Sequence, residues 1–206
     1  MKTMDKWEIL ASEESISRTV VALNANGITA VVVETGKEAK RKVFEIIPKG
    51  AEVMTMTSAT LDALGISTEI VESGKFNSVR KKMMVLDWKT QGRELRKLGA
   101  APDWAVGSVH AVTEDGKVVV ASATGSQLPA YAYGSGNVIW VVGTNKIVKN
   151  LDEAFKRVYE HSFPLEDARA KKVYGFGSSV SKLLVFNKES VQGRIKLVFV
   201  KEKLGF

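Results

Sequence analysis

Residues 107–172 read GSVHAVTEDGKVVVASATGSQLPAYAYGSGNVIWVVGTNKIVKNLDEAFKRVYEHSFPLEDARAKK. Three short polar loops, TEDG, ATGS and GTNKIV, alternate with strongly apolar, strand-like runs, and the last run feeds an amphipathic helix. Asp115-Gly116 between the runs 109–112 and 118–121 is a hairpin signal, because Gly supplies the positive φ that a tight turn needs. Residues 103–106 and 137–142 read as further short strands. Asn150 precedes Glu153 by three positions, a helix-start pattern, and Ala154, Phe155 and Val158 form the apolar face that follows. Pro164 opens another helix, at a position Pro tolerates. Loops joined to buried strands in this way bring polar groups to one end of a sheet.

The N-terminal side supplies the α/β rhythm. Ser12 is an N-cap followed by Glu13 and Glu14 in the first turn, and Ile16, Val20 and Leu23 recur on one face. Asn26-Gly27 ends that helix, and residues 28–33 form a continuous β-branched run, as in a strand covered on both faces. Thr35 and Glu38 make a capping box, with Ala39, Val43, Ile46 and Ile47 behind it. Residues 51–56 read as a second strand. Thr57 or Ser58 caps a short helix that stops at Gly65, and residues 68–71 read as a third strand. Residues 77–98 read as mostly helical, with Gly92 as a break. The tail 194–200 reads as a last strand. Strands alternating with helices imply a parallel sheet with right-handed crossovers. The whole of 1–206 is therefore expected to form a single α/β domain.

Composition narrows the chemistry. The chain has 206 residues, 45% of them apolar, so a full core can form. It has no cysteine, which excludes disulfides, thiolate zinc sites, thiolate-ligated iron–sulfur clusters and a cysteine nucleophile. With two histidines, His110 and His161, a histidine-built zinc site is not expected, and no metal ligands are assigned. No apolar run reaches the length that spans a bilayer, and the N-terminus has no apolar signal-peptide core, so no membrane insertion and a cytoplasmic location are the expectations. The net charge of +7 attracts anions, but the basic residues are dispersed and no RNA-binding aromatic signature occurs. Nucleic acid is thus the weaker partner reading.

The loops hold the candidate site residues. Thr124-Gly125-Ser126 could present backbone N–H groups and hydroxyls to phosphate, or form an ordinary strand-to-helix turn. Gly143-Thr144-Asn145-Lys146 directly follows a strand, where ligands of open α/β sheets bind. Gly143 allows close approach, Asn145 offers donors and an acceptor, and Lys146 a cation. Asn145 could equally satisfy backbone groups of its own loop. Glu114 is the candidate carboxylate for nucleophilic or acid–base chemistry, against an exposed hairpin turn as the plain alternative. His110 reads as a hydrogen-bonded strand residue and His161 as a complement to a helix C-terminus.

GSVHAVTEDGKVVV, then ATGS, then VIWVVGTNKIVKNLDEAFKRV, then FPLEDARAKK, resembles the LUD domain, the lactate-utilisation protein C family. The likeness runs from about residue 103 to 172 and resumes in RIKLVFVKEKLGF at 194–206. The resemblance implies a Rossmann-like parallel-sheet domain of the sugar-phosphate isomerase and CoA-transferase superfamily, with an inserted β-hairpin element. By superfamily analogy it implies Glu114 as an acyl-accepting carboxylate and Thr124, Gly125 and Ser126 as phosphate binders. Many relatives with the NKIV wording carry cysteines after the PLEDARAKK helix; residues 173–187 here have none. The family's role in oxidising lactate to pyruvate beside iron–sulfur partner proteins would then leave any cluster on those partners.

Three functions follow. The first is a non-redox accessory or binding component of lactate oxidation, recognising a small anionic ligand or nucleotide. The second is an independent CoA-transferase, isomerase or ligase-like enzyme using Glu114 and Lys146. The third is a basic nucleic-acid-binding module. Assembly as a homodimer is compatible with each.

Overall fold

The computed structural model describes residues 5–206, and the elements below are those of that span. The expectations for the extreme N-terminus fall partly on residues 1–4, outside the described residues. Ser12 caps α1 (Glu13–Ala25) by accepting from the Ser15 N–H, and Asn26-Gly27 closes it, Gly27 at φ +82°. β1 (Thr29–Val33) follows. Thr35 and Glu38 form the expected capping box of α2 (Gly36–Ile46), which leads to β2 (Glu52–Thr55). Ser58 caps α3 (Ala59–Ala63), and Gly65, at φ +62°, starts α4 (Ile66–Glu72).

The expected strand over 68–71 is therefore a helix. A strand would bury Ile66, Thr68 and Ile70 together; here Ile66 and Ile70 reach the core while Thr68 between them is exposed, which fits a helical period and not a strand's. The expected helix over 77–98 is also interrupted. β3 (Asn77–Ser78) precedes α5 (Val79–Met83), and α6 (Gly92–Ala100) begins at the glycine read as a break.

β4 (Trp104–Gly107) re-enters the main sheet, and β5 (Ala111–Thr113) and β6 (Val118–Ser122) form the expected hairpin, pairing Ala111 with Val119 and Val112 with Val118. Gly116 turns it at φ +80°. β7 (Asn137–Gly143), β8 (Ile147–Val148), α7 (Leu151–Arg157) and α8 (Phe163–Tyr174) follow, then β9 (Lys182–Phe186) and β10 (Ile195–Val200). Between α7 and α8 the chain stays helical through a widened π-type turn over Val158–Ser162, with Pro164 in the first turn of α8.

Six strands make one sheet in the order β1-β10-β7-β4-β2-β3, parallel throughout. The inserted element is larger than a hairpin: β8-β5-β6-β9 is a second, four-stranded sheet. β8 and β9 escaped the sequence reading because one is two residues long and the other has an exposed first half. Period-two alternation assigns the faces. Val138, Trp140 and Val142 of β7, with Leu197 and Phe199 of β10, pack towards Val118, Val120 and Phe186 of the small sheet. Ile139, Val141, Val198 and Val200 face α2, α3 and α4 instead. Val119 and Ala121, on the far side of the small sheet, meet Ala154 and Val158. The layers are thus helices, large sheet, small sheet and helices. Because all six main strands run the same way, their carboxyl ends share one side.

Candidate functional site

A cavity of about 1030 Å³ opens on that side, beyond β2 and β4. Residues 56–60 leave β2 and line one part of it, and residues 108–110, which carry the chain from β4 into the small sheet, line another. Lys146 enters from the short turn after β7 and is 2% exposed. Its Nζ donates to Val109 O at 3.0 Å, to Ser108 Oγ at 3.2 Å and to Thr60 Oγ1 at 3.3 Å. All three partners are neutral. Burial, and secondarily the nearby Arg157, holds this amine well below an ordinary lysine's range.

Arg157 is itself fully buried. One of its terminal nitrogens donates to His110 O at 2.6 Å and to Ser162 Oγ at 3.0 Å, while Nε and Nη2 find no partner among the described residues. Burial pushes the guanidinium down to about 10, and Asp5 acts in the opposite direction. None of the ion pairs among the described residues includes Lys146 or Arg157; the Asp5 carboxylate lies 2.7 Å from His161 Nδ1. His161 is thus a buried partner of Asp5 instead of the expected complement to a helix end.

Both cations act on His110. The Ala121 N–H donates to its Nδ1 at 3.1 Å, so that nitrogen carries no proton and the neutral ring keeps its hydrogen on Nε2. Burial first, then Lys146 and Arg157, push it down to about 3. His110, Lys146 and Arg157 therefore form a positively biased cluster, of which His110 and Lys146 line the cavity. The lining also holds Arg80, Arg96 and Arg169 against Asp62 and Glu166, and Glu166 is already engaged by Arg169 at 2.7 Å through both oxygens. Charges removed from water without a counter-ion cost several kcal/mol each, and an anion in the cavity would relieve that cost.

The sequence-chosen residues divide. Thr124, Gly125, Ser126 and Lys146 line the cavity together. Two amides of the 124–126 loop are used internally: the Gly125 N–H donates to Ser122 Oγ at 2.8 Å and the Ser126 N–H to Thr124 Oγ1 at 3.3 Å. The loop consequently presents hydroxyls more than amides. Gly143, Thr144 and Asn145 are not among the lining residues. Asn145 Oδ1 accepts from the Leu204 N–H at 3.2 Å, which ties residues 201–206 to the end of β7 and brings Gly205 against Lys146 and Thr60. Glu114 is not a lining residue either. It accepts from Ser15 Oγ at 2.6 Å and from Arg18 Nη2 at 3.0 Å, and so fastens the hairpin to α1.

Thr60, Ser108 and Arg157 were not singled out in the sequence. The signal for Ser108 was available: it directly follows the carboxyl end of a parallel strand, the rule that selected Lys146. Reading 109–112 as one strand also placed His110 inside an element, when it belongs to the connection between two sheets.

The LUD domain family model matches residues 16–199. This chain belongs to the LUD domain family. No curated protein matches the sequence. Among solved structures, this LUD domain is similar to a DUF162 family protein from Deinococcus radiodurans, with a TM-score of 0.56 and 13% identity over 93% of this chain and 98% of that one. At that identity the likeness concerns the fold alone. No helix among the described residues is long and apolar enough to cross a membrane.

Proposed function

We propose that this LUD domain binds a small organic anion, carboxylate- or phosphate-bearing, in the cavity beyond β2 and β4, and that it does so as a non-redox component of lactate oxidation to pyruvate beside iron–sulfur partner proteins. Membership of the family supports the metabolic setting. One observation carries the site: Lys146 is 2% exposed, lines the cavity and contacts three neutral oxygens but no carboxylate. A bound anion would supply the missing counter-charge and draw a proton onto the amine. Arg157 would add field from behind, and Ser108 and His110 Nε2–H would add donors. Thr124 and Ser126, also in the lining, would contribute hydroxyls.

One observation favours a second reading, an independent enzyme acting on an acyl or phosphorylated substrate. An amine held below its ordinary range beside a neutral imidazole is a workable nucleophile or base. In that reading Lys146 carries the reactive role and Glu114, outside the cavity, does not.

A thermal-shift panel of lactate, pyruvate, phosphate, pyrophosphate and acyl-CoA, run on the wild-type chain and on Lys146→Met, tests the anion site. A ligand at a hundred times its Kd adds about 2.7 kcal/mol, or about 5–10 °C for a chain of this size. The site reading requires at least one such shift, lost in Lys146→Met. Equal shifts in both proteins, or none with any anion, would reject it.

A further inference from the structure

The anion-binding cluster leaves the outer part of the cavity unexplained. Three aromatic rings line it there: Trp88, Tyr174 and Phe176, which are 72%, 50% and 69% exposed. Large rings left in water around the mouth of a cavity mark a contact surface. They come from two separate walls. Trp88 sits in the turn between α5 and α6, whose Met83 and Leu95 continue the apolar lining. Tyr174 and Phe176 sit at the end of α8, across Gly175 at φ +79°.

The second wall is preassembled. Phe176 stacks on Tyr174 with centroids 5.9 Å apart and planes 27° from parallel. Tyr174 in turn lies under the Arg169 guanidinium at 5.5 Å, and Glu166 fixes Arg169 through two 2.7 Å hydrogen bonds. The charge of the lining has a matching sense. Arg80 and Arg96 line the cavity from α5 and α6, and Arg80 contacts only the neutral Thr57 Oγ1, at 3.0 Å. Size agrees as well: 1030 Å³ is at the upper end of ligand-pocket volumes, and a three-carbon acid or an inorganic anion would fill a small part of it.

We propose that the cavity takes a nucleotide, its phosphates towards Lys146 and the two arginines and its base against the rings of Trp88 and Phe176. The proposal rests on the anion-site reading and names the class of anion. Ring stacking tolerates any base, so adenosine diphosphate serves as the probe.

The test is isothermal titration of adenosine diphosphate, adenosine and pyrophosphate into the wild-type chain and into Trp88→Ala, Phe176→Ala and Lys146→Met, at one low salt concentration. Stacking should make adenosine diphosphate bind about 5- to 100-fold more tightly than pyrophosphate. Trp88→Ala and Phe176→Ala should each erode that difference and leave pyrophosphate unchanged, and Lys146→Met should weaken both phosphorylated probes. Both ring positions are exposed, so these variants should fold. Equal affinity for pyrophosphate and adenosine diphosphate, with Trp88→Ala silent, would overturn the nucleotide and leave the anion site standing. Binding of lactate or pyruvate without binding of either phosphorylated probe would overturn it in the same way. Failure of every anion would remove both.

Discussion

Acidification should destabilise the protein through His110. In the folded chain burial, Lys146 and Arg157 hold this imidazole down to about 3, against 6.5 in the open chain. Below pH 6.5 the unfolded state therefore binds a proton that the native state refuses, and stability is lost as pH falls towards 3. The full slope for one group is about 1.4 kcal/mol per pH unit. Between pH 6.5 and 4.5 the integrated loss is about 2 kcal/mol, because half of the unfolded chains are already protonated at the upper limit. Water reaching the half-buried ring through the cavity makes this an upper value. Several carboxylates also titrate at low pH, so the assay is urea unfolding at both pH values on the wild-type chain and on His110→Asn, which keeps an acceptor for the Ala121 N–H but cannot titrate. The difference in stability between pH 6.5 and 4.5 should be smaller in the variant by up to about 2 kcal/mol. The His110 ring proton should meanwhile show no titration near pH 6.5 by NMR. An ordinary titration there, or identical pH dependence in the two proteins, would refute the proton-excluding cluster.

Other perturbations have distinct signatures. Arg157→Met and Lys146→Met should each raise the His110 pKa towards its ordinary value, since each removes a repelling charge; an unmoved NMR titration would contradict the electrostatic coupling. Gly116→Ala should cost about 2 kcal/mol or more, lowering Tm by several degrees: a side chain at φ +80° is strained, and its Cβ would lie 2.7 Å from the Ala22 carbonyl carbon. A scanning-calorimetry Tm equal to wild type would show that the hairpin does not press on α1. Glu114→Gln should leave anion affinity unchanged and cost at most about 1 kcal/mol through its contacts to Arg18 and Ser15; a large loss of affinity in titration calorimetry would return Glu114 to the site.

Much of the frame could be read from local chemistry. The caps at Ser12, Thr35, Ser58 and Asn150 each accept the expected N–H, and the hairpin turns at Gly116. These signals are contained within a few residues. Residues 68–71 have the β-branched composition of a strand, yet Thr68 is exposed between buried Ile66 and Ile70, a pattern that only tertiary burial reveals as helical. β8 and β9 depend on partners far along the chain: Leu184 pairs with Val120, and Ile147 with Val112. The site was legible only where a loop directly follows a parallel strand, as for Lys146. Arg157, six residues beyond the helix start at Leu151, looks like any surface cation in sequence; only the small sheet folding over α7 buries it. Asn145 was chosen for its chemistry, yet its carbonyl is occupied by Leu204, a contact 59 residues away.

Lys146 as a buried amine awaiting an anion can be tested on the side chain itself. The most direct measurement is the pH titration of its side-chain carbon resonance in lysine-labelled protein, assigned by its disappearance in Lys146→Met, without and with saturating pyrophosphate. In the free protein the Lys146 amine should titrate well below an ordinary lysine's range, and its pKa should rise when the anion is present. A resonance that titrates in an ordinary lysine's range, or one that pyrophosphate leaves in place while it binds elsewhere, would contradict this reading.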